Sequence, residues 1–131
     1  MFRKTTEDYL KTILGMTENS GGVRNTDLAK KLGIKKPSVT SAVKQLEEEG
    51  YVSHNDNGLI ILTTSGMEIA KDTVRRHATF VELLTSQGVE REIAERDACE
   101  LEHDVSPESY EAFVRINELL KSREGSLLDA H

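Results

Sequence analysis

The sequence predicts a mainly α fold: an N-terminal winged helix-turn-helix with a two-stranded wing, followed by a helical domain. Three observations predict it. Two helical periods separated by Gly33 fill the stretch up to Gly50. Directly after Gly50 the apolar period becomes strand-like, and the β-prone runs "YVSHN" and "LIILT" flank a "DNG" turn. Three longer amphipathic helices account for the rest of the 131 residues.

The elements follow in order. The first helix is expected from about Thr6 to Glu18, with Tyr9, Leu10, Ile13 and Leu14 as its apolar stripe and "NSGG" as its end. "NTDLAKKLG" reads as a cap at Asn25, a short helix and a glycine stop. "IKK" leads into a helix from Pro37 to Glu49 that starts on its proline. Val39, Ala42, Val43 and Leu46 give this helix a buried side, and Ala29 supplies a small residue in the preceding one. "TTSGMEIAKDTVRRHATFVELLTSQG" predicts a long helix with the stripe Met67, Ala70, Val74, Ala78, Val81 and Leu84. "VEREIAERDACELEHD" and "SPESYEAFVRINELLKS" are the last two helices, and "REGSLLDAH" is expected to fray. The domains are expected at 1–63 and 64–131, the second carrying metal binding and dimerisation.

Composition narrows the function. The net charge is −6, but residues 24–44 carry six cations against Asp27 alone, a net of +5. Residues 82–111 carry ten acids against Arg91 and Arg96, a net of −8. Such a split suits two jobs, one facing phosphate and one facing cations or solvent. Aromatics at 5% with no Trp argue against a base-stacking or carbohydrate surface. No apolar run is long enough to span a bilayer, and "MFRKTTEDYL" lacks the apolar core of a signal peptide. A single cysteine excludes an internal disulfide, so a cytoplasmic location is expected, with Cys99 a free thiol or a ligand.

On the helix from Pro37, the face opposite the apolar stripe holds Pro37, Thr40, Ser41 and Lys44, flanked by Lys36 and Ser38. Short hydroxyls with lysines suit close approach to a DNA major groove, where they donate to phosphates or base edges. Arg24 and Lys35 add to the basic balance and Asn57 lies on the wing turn, which completes the DNA-binding candidates. An ordinary solvated face is the plainer reading of one such helix; the turn glycine, the wing and the local charge favour DNA. Glu47, Glu48 and Glu49 would repel it, so that end of the helix should point away.

"DACELEHD" places Cys99, Glu102 and His103 at i, i+3 and i+4, one face of a helix. Ala94, Ala98, Leu101 and Val105 form the core stripe of that helix, so Glu95, Cys99, Glu102 and His103 are expected off it. Thiol, imidazole and carboxylate together suit a first-row divalent metal. By itself the spacing is equally a surface cluster with a half-buried cysteine.

The chain resembles the diphtheria toxin repressor family of metal-dependent repressors in its short, two-domain form. "EDYLKTI", "DLAKKLGIKKPSVTSAVKQLEEEGYV", "LTTSGMEIA", "RRH" and "CELEH" recur in the order and spacing of that family, over Thr5 to Tyr110. The resemblance implies a winged helix followed by a helical dimerisation domain. It also implies a primary metal site on Asp8, Cys99, Glu102 and His103, with His77 nearby. Asp8 matches the manganese type of the family and Cys99 the iron type. Lys11 replaces a further carboxylate of the manganese type. Val81 and Glu95 replace the Glu and His of an iron-type ancillary site, which leaves Glu95 as an additional oxygen donor. His54 and His131 are assigned to no site.

The expected function is a cytoplasmic, metal-sensing DNA-binding repressor acting as a homodimer on a double-stranded operator of metal-homeostasis genes. Phe113, Ile116, Leu119 and Leu120 exceed the apolar surface a chain this small hides alone, so the region from Val89 to Lys121 is expected to carry the dimer interface. The donor set ranks Fe(II) first, Mn(II) second and Zn(II) third. No organic substrate and no membrane are expected as partners. A metal-independent winged-helix adaptor that binds protein is one alternative. A small metal-dependent hydrolase is another, without a phosphate loop, nucleophile elbow or His-Glu-x-x-His motif to support it.

Overall fold

The computed structural model describes residues 3–129. Its elements are α1 (Arg3–Thr17), α2 (Asn25–Leu32), α3 (Lys36–Glu48), β1 (Val52–His54), β2 (Ile60–Leu62), α4 (Thr64–Ser86), α5 (Arg91–Asp104) and α6 (Pro107–Asp129). Two compact units divide the chain, 1–74 and 75–131, with the boundary inside α4.

In the first unit, Leu10 and Ile13 of α1, Leu28 of α2, Val39, Val43 and Leu46 of α3, and Val52 and Ile60 of the hairpin share one core. Fully burying each such aliphatic side chain contributes roughly 1.5–3 kcal/mol. α1 starts three residues before the predicted Thr6, and its first turn carries an Arg3–Glu7 ion pair at 3.5 Å. α3 likewise begins at Lys36 with Lys35 as N-cap, one residue before the expected proline.

Asn25 is not the cap of α2. Arg24 is the N-cap, in extended conformation and without a side-chain cap bond. The reason lies one residue upstream. Val23 bridges Ile60 through two backbone hydrogen bonds of 2.9 and 2.8 Å, which keep the chain extended up to Arg24. Asn25 is then already helical, and its Nδ2 donates to Thr40 Oγ1 on α3 at 3.4 Å. Gly33 closes α2 at φ 68, a left-handed conformation that costs a residue with a Cβ roughly 1–2 kcal/mol. Ile34 N–H then bonds to Ala29 O at 3.1 Å, which turns the chain toward α3.

β1 and β2 pair antiparallel, with Val52 opposite Leu62, Ser53 opposite Ile61 and His54 opposite Ile60. Asn55 Oδ1 accepts the N–H groups of Asn57 (2.9 Å) and Leu59 (3.0 Å), which folds the wing turn on a side chain. Thr63 caps α4: its Oγ1 accepts the N–H of Gly66 at 3.2 Å and donates to Gly50 O at 2.7 Å.

The buried face of α4 differs from the predicted stripe. Val74 is 41% exposed and Ala78 is exposed, whereas Ala70, Thr73, Arg76, Phe80 and Val81 are buried. Two of these are polar, so a search for apolar period passes over them. Each has a carbonyl partner: Thr73 Oγ1 donates to Ile69 O at 2.9 Å in the first unit, and Arg76 Nη1 donates to Val105 O in the second.

In the second unit Phe80 and Val81 pack with Ala98 and Tyr110, supported by Leu101, Val105, Phe113 and Val114. The rings of Phe80 and Phe113 meet edge to face, centroids 5.2 Å apart. Ile93, Ile116 and Leu119 are exposed. α6 continues to Asp129 instead of fraying after Ser122; apart from Gly125, most residues of that stretch are good or neutral helix formers. His131 lies outside the described residues.

Candidate nucleic-acid interface and metal centre

On α3 the apolar side faces the core and the opposite side is open. Lys36, Pro37, Ser38, Thr40, Ser41 and Lys44 are all exposed, as are Arg24, Lys35 and Asn57. The hydroxyl of Thr40 donates to Lys36 O at 3.0 Å while accepting from Asn25, so it braces α2 against α3. Ser38 and Ser41 instead border an open groove with Thr5 and Tyr9 of α1. Burial pushes the Tyr9 phenol above its ordinary pKa, so it stays protonated and neutral beside that face.

A second, polar cleft lies between the wing and the start of α2, lined by Arg24, Asn25, Thr26, Lys36 and Asn57. It gathers three of the predicted DNA candidates, two of them cations, around a concave surface suited to a backbone phosphate. Asn25 and Thr26 line the same cleft and carry no charge, so the charge balance does not single them out. The acidic end of α3 is tied back, with Glu47 Oε2 2.6 Å from His54 Nδ1 on β1. Lys44→Ala should weaken binding to every DNA sequence and lower the slope of log K against log salt by about one unit. An unchanged slope in filter-binding or anisotropy titrations would remove Lys44 from the phosphates.

The second unit brings four of the predicted ligands together. His77 on α4 points its Nδ1 at Glu102 Oε2 on α5, at 2.9 Å. Cys99 Sγ, one turn earlier on α5, lies 3.9 Å from the same Nδ1. Glu102 Oε1 lies 3.2 Å from His103 Nε2. Glu102 and His103 are 1% and 2% exposed, which corrects the expectation that they stand off the buried side of the helix. The Ala94–Ala98 stripe is buried as predicted, but the burial of α5 extends around to Glu102 and His103 near its C-terminus. Cys99 remains exposed.

The other predicted ligands stand differently. Glu95 is exposed, and its Oε1 accepts from Arg91 Nε at 3.2 Å. Asp8 lies on α1 in the first unit and is half-buried. Val81, which is not a predicted ligand and stands in place of one of the iron type, packs in the core of the second unit.

Imidazole nitrogen, carboxylate oxygen and thiol within one small volume, with the carboxylate fully buried, is a donor set that fits a divalent first-row metal. A winged helix-turn-helix followed in the same chain by such a donor cluster defines a metal-responsive DNA-binding regulator. The family comparisons agree. The N-terminal DNA binding domain of the iron dependent repressors matches residues 1–59, and their metal binding and dimerisation domain matches residues 63–124. The chain belongs to this family of metal-dependent transcriptional repressors.

It is 37% identical over 119 residues to an HTH-type transcriptional regulator of Methanocaldococcus jannaschii, covering 89% of this chain and 95% of the relative. It is 33% identical over 112 residues to the transcriptional regulator MntR of Salmonella typhimurium, covering 86% of this chain and 71% of the relative. Among solved structures, a manganese-dependent transcriptional repressor in complex with manganese superposes with a TM-score of 0.74 at 30% identity, over 88% of this chain and 52% of that one. IdeR of T. acidophilum superposes with a TM-score of 0.69 at 28% identity, over 83% and 52%. The chain spans about half the length of these two solved repressors. No described helix is long and apolar enough to cross a membrane.

Proposed function

We propose that this protein is a cytoplasmic repressor of metal-homeostasis genes whose operator affinity is raised by Fe(II) or, second, Mn(II), with Zn(II) third. The observation that carries the reading is the buried Glu102 carboxylate between His77 and His103, with Cys99 at its edge. When bound, a divalent cation supplies the positive charge that lets a thiolate, a carboxylate and two imidazoles share one volume. His77, Cys99, Glu102 and His103 are the proposed ligands from the second unit. Asp8 is proposed from family resemblance. Glu95 would have to leave Arg91 to join them.

The thiol of Cys99 supports iron; the manganese-responsive relatives support manganese. The DNA-binding surface is proposed as Arg24, Lys35, Lys36, Pro37, Ser38, Thr40, Ser41, Lys44 and Asn57, with Arg24, Lys36 and Asn57 meeting one backbone phosphate. The working division of labour is 1–63 for DNA and 64–131 for metal and dimerisation. The exposed Ile93, Ile116 and Leu119 support a homodimer that reads two half-sites about one helical turn apart. Metal binding then acts by population shift toward the spacing that fits both half-sites, and by linkage the operator tightens metal binding by the same factor.

The test is anaerobic titration of apo-protein with Fe(II), Mn(II) and Zn(II), each followed by binding to promoter DNA. Operator affinity should rise with metal, and an affinity independent of all three would sink the sensor reading. Cys99→Ser separates the metals: it should weaken Fe(II) and Zn(II) much more than Mn(II), which gains less from sulfur. Equal changes for all three would take Cys99 out of the ligand set.

A further inference from the structure

Arg76 immediately precedes His77, yet the two side chains do different work. Successive helical residues point about 100° apart. His77 turns to Glu102; Arg76 turns to the end of α5 and the start of α6. The Arg76 guanidinium donates from Nη1 to the carbonyl of Val105, the C-cap residue of α5. Its Cζ sits 4.9 Å from the ring centroid of Tyr110 on α6. Tyr110 is held in turn, its hydroxyl 3.0 Å from Thr79 Oγ1 on α4 and its ring tilted against Phe80.

Arg76 is 8% exposed, so its guanidinium is largely withdrawn from water. Burying a guanidinium is costly, and an apolar residue would pack there without that cost. The charge-assisted bond to a carbonyl and the cation–π contact offset it, and both depend on a planar fork. Val105 follows His103 by two residues and Glu102 by three. The guanidinium therefore grips α5 within one turn of its buried donors, while its own helix presents His77 one residue away. α4 is fixed against α5 at two points around its axis, one through the donor cluster and one through Arg76. The Arg76–Val105 bond itself uses no atom of the four donor side chains.

We propose that Arg76, stacked on Tyr110, is a positioning residue that sets the spacing between His77 and the Glu102–His103 pair. The metal arm of this inference rests on the sensor reading above; the spacing itself does not.

The experiment compares Arg76→Lys, which keeps the charge and loses the planar fork, with Tyr110→Leu and Tyr110→Phe. Two readouts are taken. The first is the ¹⁵N NMR signature of the His77 imidazole in apo-protein, which reports its hydrogen bond to Glu102. The second is Co(II) titration followed by the visible absorption spectrum. Arg76→Lys and Tyr110→Leu should lose the His77 signature, bind Co(II) weaker by about tenfold or more, and shift its absorption bands. Tyr110→Phe keeps the ring face and should retain both signals. A folded Arg76→Lys protein with a lower Tm but the wild-type His77 signature and Co(II) spectrum would overturn the proposal. Should Arg76→Lys not fold, Tyr110→Leu decides by the same two readouts. A wild-type protein that takes up no Co(II) would refute the metal site, and the His77 signature would still decide the positioning role.

Discussion

Glu102→Gln is expected to lower affinity for Fe(II), Mn(II) and Zn(II) alike, each by about one hundredfold or more, a loss of roughly 2.7 kcal/mol. Glu102 is the most buried of the proposed ligands, and its two oxygens face His77 and His103 separately. The amide keeps the volume and one acceptor oxygen, so the helices stay packed. What it removes is the negative charge. In a site withdrawn from water, an uncompensated cation is far costlier than at the surface, and neutral imidazoles cannot replace a carboxylate. The loss should be common to all three metals, unlike that of Cys99→Ser, because charge does not discriminate among divalent ions while sulfur does. Isothermal titration of apo-protein measures it. Operator binding without metal should be unaltered, since α3 and the wing contain no part of this cluster. Wild-type metal affinity in Glu102→Gln would make the carboxylate a packing group for two histidines and nothing more.

The same residues show what could be read ahead of the structure. The head was legible because its signals are local. Gly33 stops one helix and "DNG" turns the wing, and the spacing of Val39, Val43 and Leu46 faces α3 inward. Each of these depends on neighbours within a turn or two of chain. The donor cluster was legible in its membership on α5, since i, i+3 and i+4 on a helix must share a face. Its burial was not. Glu102 and His103 are polar, and no apolar stripe includes them, yet they are among the most buried side chains of the chain. The predicted stripe of α4 is buried at Ala70 and Val81 but exposed at Val74 and Ala78. Thr73 is satisfied by the Ile69 carbonyl of its own helix and can be buried without a distant partner, while Arg76 occupies an inward position where it finds the carbonyl of Val105, and a partner 29 residues away leaves no periodic trace. Polar groups are buried where a partner waits, and the partner is a tertiary fact. The bridge from Val23 to Ile60 is similar: two backbone bonds move a helix start by one residue, and no side-chain pattern announces them.

Gly66→Ala should lower the Tm by roughly 10 °C, the largest stability change expected from any single methyl added to the first unit. Helix propensity alone predicts the reverse, because alanine in a helix is favoured over glycine by about 1 kcal/mol. Local geometry decides otherwise. A Cβ on Gly66 would stand 2.0 Å from Tyr51 O and 3.0 Å from Tyr51 C, both backbone atoms that no rotamer change can move. That carbonyl is itself fixed, accepting the Thr63 N–H at 3.0 Å. Relief requires the first turn of α4 to shift, which strains the Thr63 cap on Gly66 and its bond to Gly50 O, or requires Tyr51 to move and carry β1 with it. Either route loses hydrogen bonds worth about 1 kcal/mol each on top of the overpacking, so a net cost of about 2–4 kcal/mol is expected. Gly15→Ala is the matched control. Gly15 is also helical, and a Cβ there meets nothing within 4 Å, so the same substitution should stabilise by about 0.5–1 kcal/mol. Thermal unfolding of the two variants side by side should give shifts of opposite sign. Two shifts of the same sign would mean that the approach of α4 to Tyr51 is looser than 2.0 Å implies. The wing would then be less firmly tied to the start of α4 than the Thr63 bonds suggest.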